Sequence, residues 1–266
     1  MTVWHNQRLK DDETPLFSFN DRLRLGDGVF DTMLAVDGML IHPRAHFQRL
    51  LDDALVLGIE CHRTIEDLID AAHTVLKQSN LQKGRVVINT LLTRGPAERG
   101  LMPDNMTDVQ TVMRAVPAPQ NMPPISAIIA KTVRRNEGSA LSRIKSVNYG
   151  DNILALLEAR KRGANEAILL NNKGNVACTT SGNIFIKHAG KLYTPPLKDG
   201  VLAGVTRAFV IERHEAIEKS LLEADIHNAE AIYVSNSIRG FAAIASLDGT
   251  PLPEASLPFD ANAFLT

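Results

Sequence analysis

The chain predicts an α+β protein of two parts, a small N-terminal α/β domain and a larger strand-rich C-terminal domain. Three observations carry this. Residues 1–116 hold a hairpin signal, two amphipathic helix patterns and two strands rich in β-branched residues. Four prolines crowd the eight residues Pro117–Pro124. The remainder, 125–266, reads mostly as short strands with two helix patterns.

Thr2–Asn6 reads as a short strand, and Asp21–Gly28 as a loop punctuated by glycine and aspartate. Val29–Ile41 is a hairpin turning at Asp37-Gly38, because such a pair accepts the positive φ values of a tight turn. His42–Leu57 places Phe47, Leu50, Leu51, Ala54 and Leu55 on one helical face. Thr64 is a suitable N-cap for a second helix with Ile65, Leu68, Ile69, Ala72, Val75 and Leu76 inward. Strands follow at Arg85–Thr93 and Val109–Val116. The proline run can be neither helix nor central strand, so 117–124 is taken as the linker between domains 1–116 and 125–266.

Beyond the linker, strands are expected at Ile125–Val133, Glu166–Leu170 and Val176–Thr179, with a hairpin over Ile184–Thr194 and final strands at Ala231–Val234 and Phe241–Leu247. Asp151–Arg162 reads as a helix with Ile153, Leu154 and Leu157 at core spacing and Gly163 at its C-cap. Another helix begins near Gly204, with Val205, Phe209, Val210 and Ile217 inward.

Net charge is −1 at 266 residues, with basic residues spread along the chain, which argues against nucleic acid or a membrane surface as partner. Two cysteines, Cys61 and Cys178, make neither a disulfide framework nor a zinc spacing, and fit a reducing cytoplasm. No run of about 18 apolar residues occurs. Gly26-Asp-Gly28 precedes a hairpin and not a helix, which removes a dinucleotide-binding reading.

The chemistry centres on Arg143-Ile-Lys145-Ser-Val-Asn-Tyr149, where a lysine closes an extended segment just ahead of a helix. This string resembles the lysine segment of the class IV (fold type IV) aminotransferases, and the resemblance runs from about Phe19 to Gly240. In that family the lysine forms a Schiff base with pyridoxal 5'-phosphate (PLP), so the resemblance implies PLP as cofactor and Lys145 as the catalytic amine. It implies Tyr149 as a partner of the cofactor's ring hydroxyl. Three phosphate contacts are implied in the same way. Arg49, in His46-Phe-Gln-Arg49-Leu, matches a phosphate-gripping arginine. Leu202-Ala-Gly-Val205-Thr206 resembles the family's Leu-Pro-Gly-Ile-Thr helix start, with Ala203 in place of proline. Val234-Ser-Asn236-Ser237 matches a further contact. A helix N-terminus with free N–H groups is a natural phosphate seat.

One element departs from the family pattern. In Gly174-Asn-Val-Ala-Cys178-Thr-Thr-Ser-Gly-Asn183, Cys178 occupies the place of the glutamate that meets the pyridine nitrogen. A carboxylate keeps that nitrogen protonated and the ring strongly electron-withdrawing, whereas a thiol does not. For substrate, Phe30, Asp31 and Thr32 match a strand lining the pocket in the family, with solvent on the strand's other face as the alternative for Asp31. Arg99, with Arg94 as the second choice, lies on a segment that resembles the loop supplying cations to substrate carboxylates in this family.

Two reactions of the family compete for this chain. One is elimination of pyruvate from 4-amino-4-deoxychorismate to give 4-aminobenzoate for folate. The other is transamination of branched-chain or D-amino acids. The short chain, the Ser235-Asn-Ser-Ile-Arg-Gly240 string and Cys178 favour the lyase. A PLP-binding protein with little catalysis is the third reading. The expected partners are a small amino substrate bearing carboxylates and a second copy of the chain in a homodimer.

Overall fold

A computed structural model describes residues 2–11, 13–102, 108–260 and 264–265. They divide into two units, Met1–Gln120 with Ile144–Val147, and Asn121–Arg143 with Asn148–Thr266.

The first unit contains β1 (Thr2–His5), β2 (Arg8–Asp11), β3 (Gly28–Val36), β4 (Met39–Leu40), α1 (Pro43–Val56), α2 (Ile65–Gln78), β5 (Arg85–Thr93) and β6 (Gln110–Pro117). Its antiparallel sheet has the order β2-β1-β6-β5-β3-β4. Asp37 and Gly38 turn the β3–β4 hairpin at φ 48° and 82°. α2 opens on a capping box in which Thr64 and Asp67 satisfy each other's backbone N–H groups. α1 and α2 bury Phe47, Leu50, Leu68 and Val75 against Val29 and Met33 of the sheet. Leu55 is exposed, contrary to expectation, because the inward stripe of α1 follows Phe47, Leu50 and Ala54 and rotates position 55 outward.

β4 pairs only with Ala35 and Val36, so the start of β3 keeps an unpaired edge on that side. The Lys145 segment fills it. Phe30 N–H donates to Lys145 O at 2.9 Å, Val147 N–H donates to Gly28 O at 3.1 Å, and Val29 bridges Ser146. Ile144–Val147 therefore belongs to the first unit although both chain neighbours lie in the second.

The second unit contains β7 (Ile125–Ile129), α3 (Gly150–Lys161), β8 (Glu166–Leu170), β9 (Asn175–Thr179), β10 (Asn183–His188), β11 (Lys191–Thr194), α4 (Val205–His214), β12 (Ile217–Glu218), β13 (Leu221–Leu222), α5 (Glu223–His227), β14 (Ala231–Asn236), β15 (Gly240–Leu247) and β16 (Thr250–Pro251). They form one sheet of order β12-β11-β10-β14-β15-β7-β8-β9-β13, with β16 on β15. Side chains alternate between its faces: Ile168 and Leu170 enter one core, Ala167 and Leu169 another. Among the described residues no helix is long and apolar enough to cross a membrane.

Three expectations fail in this unit. α3 does not bury Ile153, Leu154 and Leu157, which are exposed; it packs through Asn152, Ala155 and Ala159. Small residues let the helix sit close on the sheet, so hydrophobicity alone misplaced the inward face. α4 stops at His214, where Glu215 takes a left-handed φ of 49°, and Ile217 lies exposed in β12. The strand from Ile125 ends at Ile129 and not Val133.

Candidate active site

Alternation along β3 sorts the first unit's polar residues. Val29, Asp31 and Met33 face the buried helical side, while Phe30 and Thr32 are half buried on the other. Lys145 Nζ lies 4.1 Å from the centroid of the Phe30 ring, and Thr32 Oγ1 accepts from Asn89 Nδ2 at 3.1 Å.

Asp31 does not reach solvent. Its Oδ2 accepts from Arg49 Nε at 3.1 Å and Nη2 at 2.5 Å, and its Oδ1 contacts His46 Nδ1 at 2.6 Å. Burial pushes the Asp31 carboxyl up, but the Arg49 and His46 charges and hydrogen bonds outweigh it and hold the group well below the usual carboxylate range. Arg49, expected at the cofactor phosphate, is thus clamped by a buried carboxylate through one edge of its guanidinium.

One helical turn beyond Arg49, Asp53 is also buried, and its Oδ2 accepts the Lys145 backbone N–H at 2.8 Å. Burial pushes Asp53 up to about 6, opposed by that hydrogen bond and by the Arg49 charge, and assisted by Asp31 and Asp52. Sequence reading passed over Asp53, although His46, Arg49 and Asp53 share one helical face at i, i+3 and i+7. A consequence is measurable. A carboxyl raised from 3.8 to about 6 in the folded state contributes stability that is fully present below pH 3.8 and lost as pH rises through about 6. At about 1.4 kcal/mol per pH unit, the loss is at most about 3 kcal/mol. Asp53→Asn keeps an acceptor for Lys145, so urea unfolding should show the variant more stable at pH 7 and flat over that window. An unchanged slope would contradict the assignment.

Arg94 is buried and engaged. Its Nε donates to Asp27 at 2.7 Å, Nη1 to Gly58 O at 2.8 Å and Nη2 to Leu57 O at 2.5 Å. Asp27 is also held by Arg22 Nε at 2.6 Å. A substrate carboxylate would have to displace contacts that tie these loops together, whereas Arg99 is exposed on its loop.

In the second unit, pairing of Asn183 with Ser235 brings the start of β10 beside the end of β14. Asn183 Nδ2 donates to Leu202 O at 2.9 Å. Gly204 precedes α4 with no room for a side chain, since a Cβ there would stand 2.0 Å from Asn183 Oδ1. α4 has no side-chain cap, so the N–H groups at Val205 and Thr206 open its N-terminus. Thr206 Oγ1 is buried without a protein partner, as is Ser235 Oγ. Asn236, the last residue of β14, and Ser237, on the turn that follows, are half buried. Tyr149, half buried, occupies the N-cap of α3.

Cys178 pairs with Leu169 while Val176 pairs with Leu170, so Ala177 is an extra residue. This bulge turns Cys178 onto the α3 side of the sheet, where it is buried. Burial pushes the thiol up, with Arg135 opposing and Glu166 assisting, so it stays a neutral thiol. Glu166 is the buried carboxylate of this region that sequence reading missed. Its Oε1 accepts from Thr180 N–H at 2.9 Å and from Thr180 Oγ1, and its Oε2 from Ser181 Oγ at 2.7 Å.

A family model, amino-transferase class IV, matches residues 28–247. The chain is a member of the class IV aminotransferase family. A Methanocaldococcus jannaschii protein carrying the provisional name branched-chain-amino-acid aminotransferase is 32% identical over 94% of this chain and 88% of its own length. A Legionella pneumophila structure, provisionally named a 4-amino-4-deoxychorismate lyase, superposes with a TM-score of 0.87 at 30% identity, covering 96% of this chain and 95% of that one. The branched-chain aminotransferase of Thermoproteus uzoniensis gives a TM-score of 0.92 at 27% identity over 100% and 93% of the two chains.

Class IV aminotransferases use PLP, and this member has the fold type IV, α+β architecture of the family. Its own residues fit a phosphate: an uncapped helix start, an orphaned buried Thr206 hydroxyl and a glycine whose Cβ would close the space. Cys178, for which the sequence pattern leads one to expect a glutamate, is a buried neutral thiol on the α3 side of the sheet.

Proposed function

We propose that this class IV protein is a PLP-dependent lyase that releases pyruvate and 4-aminobenzoate from 4-amino-4-deoxychorismate. The observation that carries the reading is Cys178, buried and neutral, at the place where the family pattern read in the sequence has a glutamate. Bound PLP supplies an electron sink to the carbon bearing the substrate amine. Transamination depends on a strong sink, whereas an elimination that forms an aromatic ring is drawn forward by its product. The similarity to the Legionella structure supports the same choice.

In this reading Lys145 would be the amine that holds the cofactor and the base of the reaction. Its Nζ takes the proton from the amine-bearing carbon as the ether bond to the enolpyruvyl group breaks, and returns a proton to the methylene carbon of the leaving group. Thr206, Ser237, Asn236 and the α4 amides at Val205 and Thr206 would hold the phosphate, and Arg49 is the cation that the family resemblance assigns to it. Tyr149 would partner the ring hydroxyl, Cys178 would take the place of the ring-nitrogen carboxylate, and Phe30, Thr32 and Arg99 would receive the substrate. Arg94 serves as the support beneath that loop. The reading takes the protein as a cytoplasmic homodimer.

The test is incubation of the PLP-loaded protein with 4-amino-4-deoxychorismate, following pyruvate with lactate dehydrogenase, beside an amino-acid panel with 2-oxoglutarate. Pyruvate and 4-aminobenzoate should form in equal amounts, faster than any amino transfer. Fast transfer from valine or leucine with no pyruvate would favour the second reading, a branched-chain aminotransferase, which the 32% identity to the Methanocaldococcus protein supports.

A further inference from the structure

Arginines that the fold draws out of water are mostly matched to a partner. Arg22 and Arg94 share Asp27, Arg49 holds Asp31, and Arg207 meets Glu218. Arg135 is taken up by Ser142 O, Gly200 O and Asn152 Oδ1, and Arg63 lies over the Trp4 ring. Arg239 differs. It is half buried, its Nη1 donates to the neutral Pro123 O at 3.0 Å, and among the described residues no carboxylate lies within ion-pair distance. Burial lowers its pKa while the Glu166 charge raises it; an arginine in water-accessible surroundings nevertheless stays charged. Glu166 is not available to it as a close partner, because Thr180 and Ser181 occupy both carboxylate oxygens.

The backbone beneath Arg239 is fixed. Asn236 Oδ1 accepts from Ile238 N–H at 3.1 Å and Arg239 N–H at 2.8 Å, and Asn236 pairs with Gly240 to close the hairpin. A cation is thus held two residues after Ser237, on the turn assigned above to the phosphate, with most of its planar donor fork uncommitted. Such a fork suits two-point contact with a carboxylate. The phosphate already has proposed donors in Thr206, Ser237, the α4 amides and Arg49, which leaves Arg239 for the reacting partner.

We propose that Arg239 is a specificity-determining residue that binds the second carboxylate of an amino substrate carrying two. This rests on the PLP-enzyme reading above and adds the substrate feature that the Asn236–Gly240 turn selects.

The experiment compares the PLP-loaded wild type with Arg239→Gln and Arg239→Lys. The readouts are PLP affinity by absorbance titration, KM and kcat for 4-amino-4-deoxychorismate and glutamate against alanine and valine, and calorimetric binding of glutarate. Loss of a charge-assisted contact should raise KM for the two-carboxylate substrates and weaken glutarate by about 10- to 100-fold in Arg239→Gln. PLP affinity and the one-carboxylate substrates should be unchanged, with partial recovery in Arg239→Lys. Equal KM changes for both classes, weakened PLP binding, or glutarate that binds wild type and Arg239→Gln alike or wild type not at all would overturn the proposal. Absence of both pyruvate release and amino transfer in the wild type would count against the enzyme reading instead, and the glutarate comparison would still decide Arg239.

Discussion

Lys145→Ala should leave a folded protein with turnover reduced by about 10³-fold or more, the scale of a lost general base. The reasoning separates the amine from the fold. What ties this segment to β3 and α1 is main chain: Lys145 N–H to Asp53, Phe30 N–H to Lys145 O, and Val147 N–H to Gly28 O. Alanine preserves all three. The contact of Nζ with the Phe30 ring is lost, worth about 0.5–1 kcal/mol at a partly exposed position. Unfolding in urea should therefore shift little while product formation collapses. A variant with near-normal turnover would remove Lys145 from the chemistry.

Asp31→Asn should cost about 3–5 kcal/mol of stability, the range found when one partner of a buried ion pair is removed. Both Asp31 oxygens are engaged, one by His46 and the other by two donors of Arg49, and the side chains of Asp31 and His46 are almost completely shielded from water. An amide removes the charge that faces Arg49 and presents a donor where an acceptor is needed. The acid limb carries the second signature. Because the folded pKa of Asp31 is depressed, its contribution is present above the unfolded value of about 3.9 and is lost as pH falls through the folded value. Wild type should lose stability below about pH 4 more steeply than Asp31→Asn. The sign is opposite to that of Asp53, which acts between about pH 4 and 6. Equal urea midpoints for wild type and Asp31→Asn would mean that the clamp on Arg49 is not a stabilising feature.

Local chemistry was legible in the sequence wherever a few neighbouring residues decide the outcome. Asp37-Gly38 supplies the positive φ pair of a hairpin, and Thr64 with Asp67 caps a helix, whatever the rest of the chain does. The family was legible from an ordered set of motifs because each is a short string. The pairing between strings was not. Asp53 and Lys145 meet across 92 residues, and Asp31 looked like an outward residue until α1 supplied Arg49 and His46 against that face. Residue size misled at α3, where Ala155 and Ala159 face the sheet and Ile153, Leu154 and Leu157 do not. The bulge at Ala177, which decides where Cys178 points, leaves no mark in composition or periodicity.

The most direct measurement is borohydride reduction of the PLP-treated protein followed by peptide mass mapping. The expected result is one phosphopyridoxyl adduct, on Lys145, absent from Lys145→Ala. An adduct on another lysine, or no adduct in the wild type, would contradict the assignment of this amine.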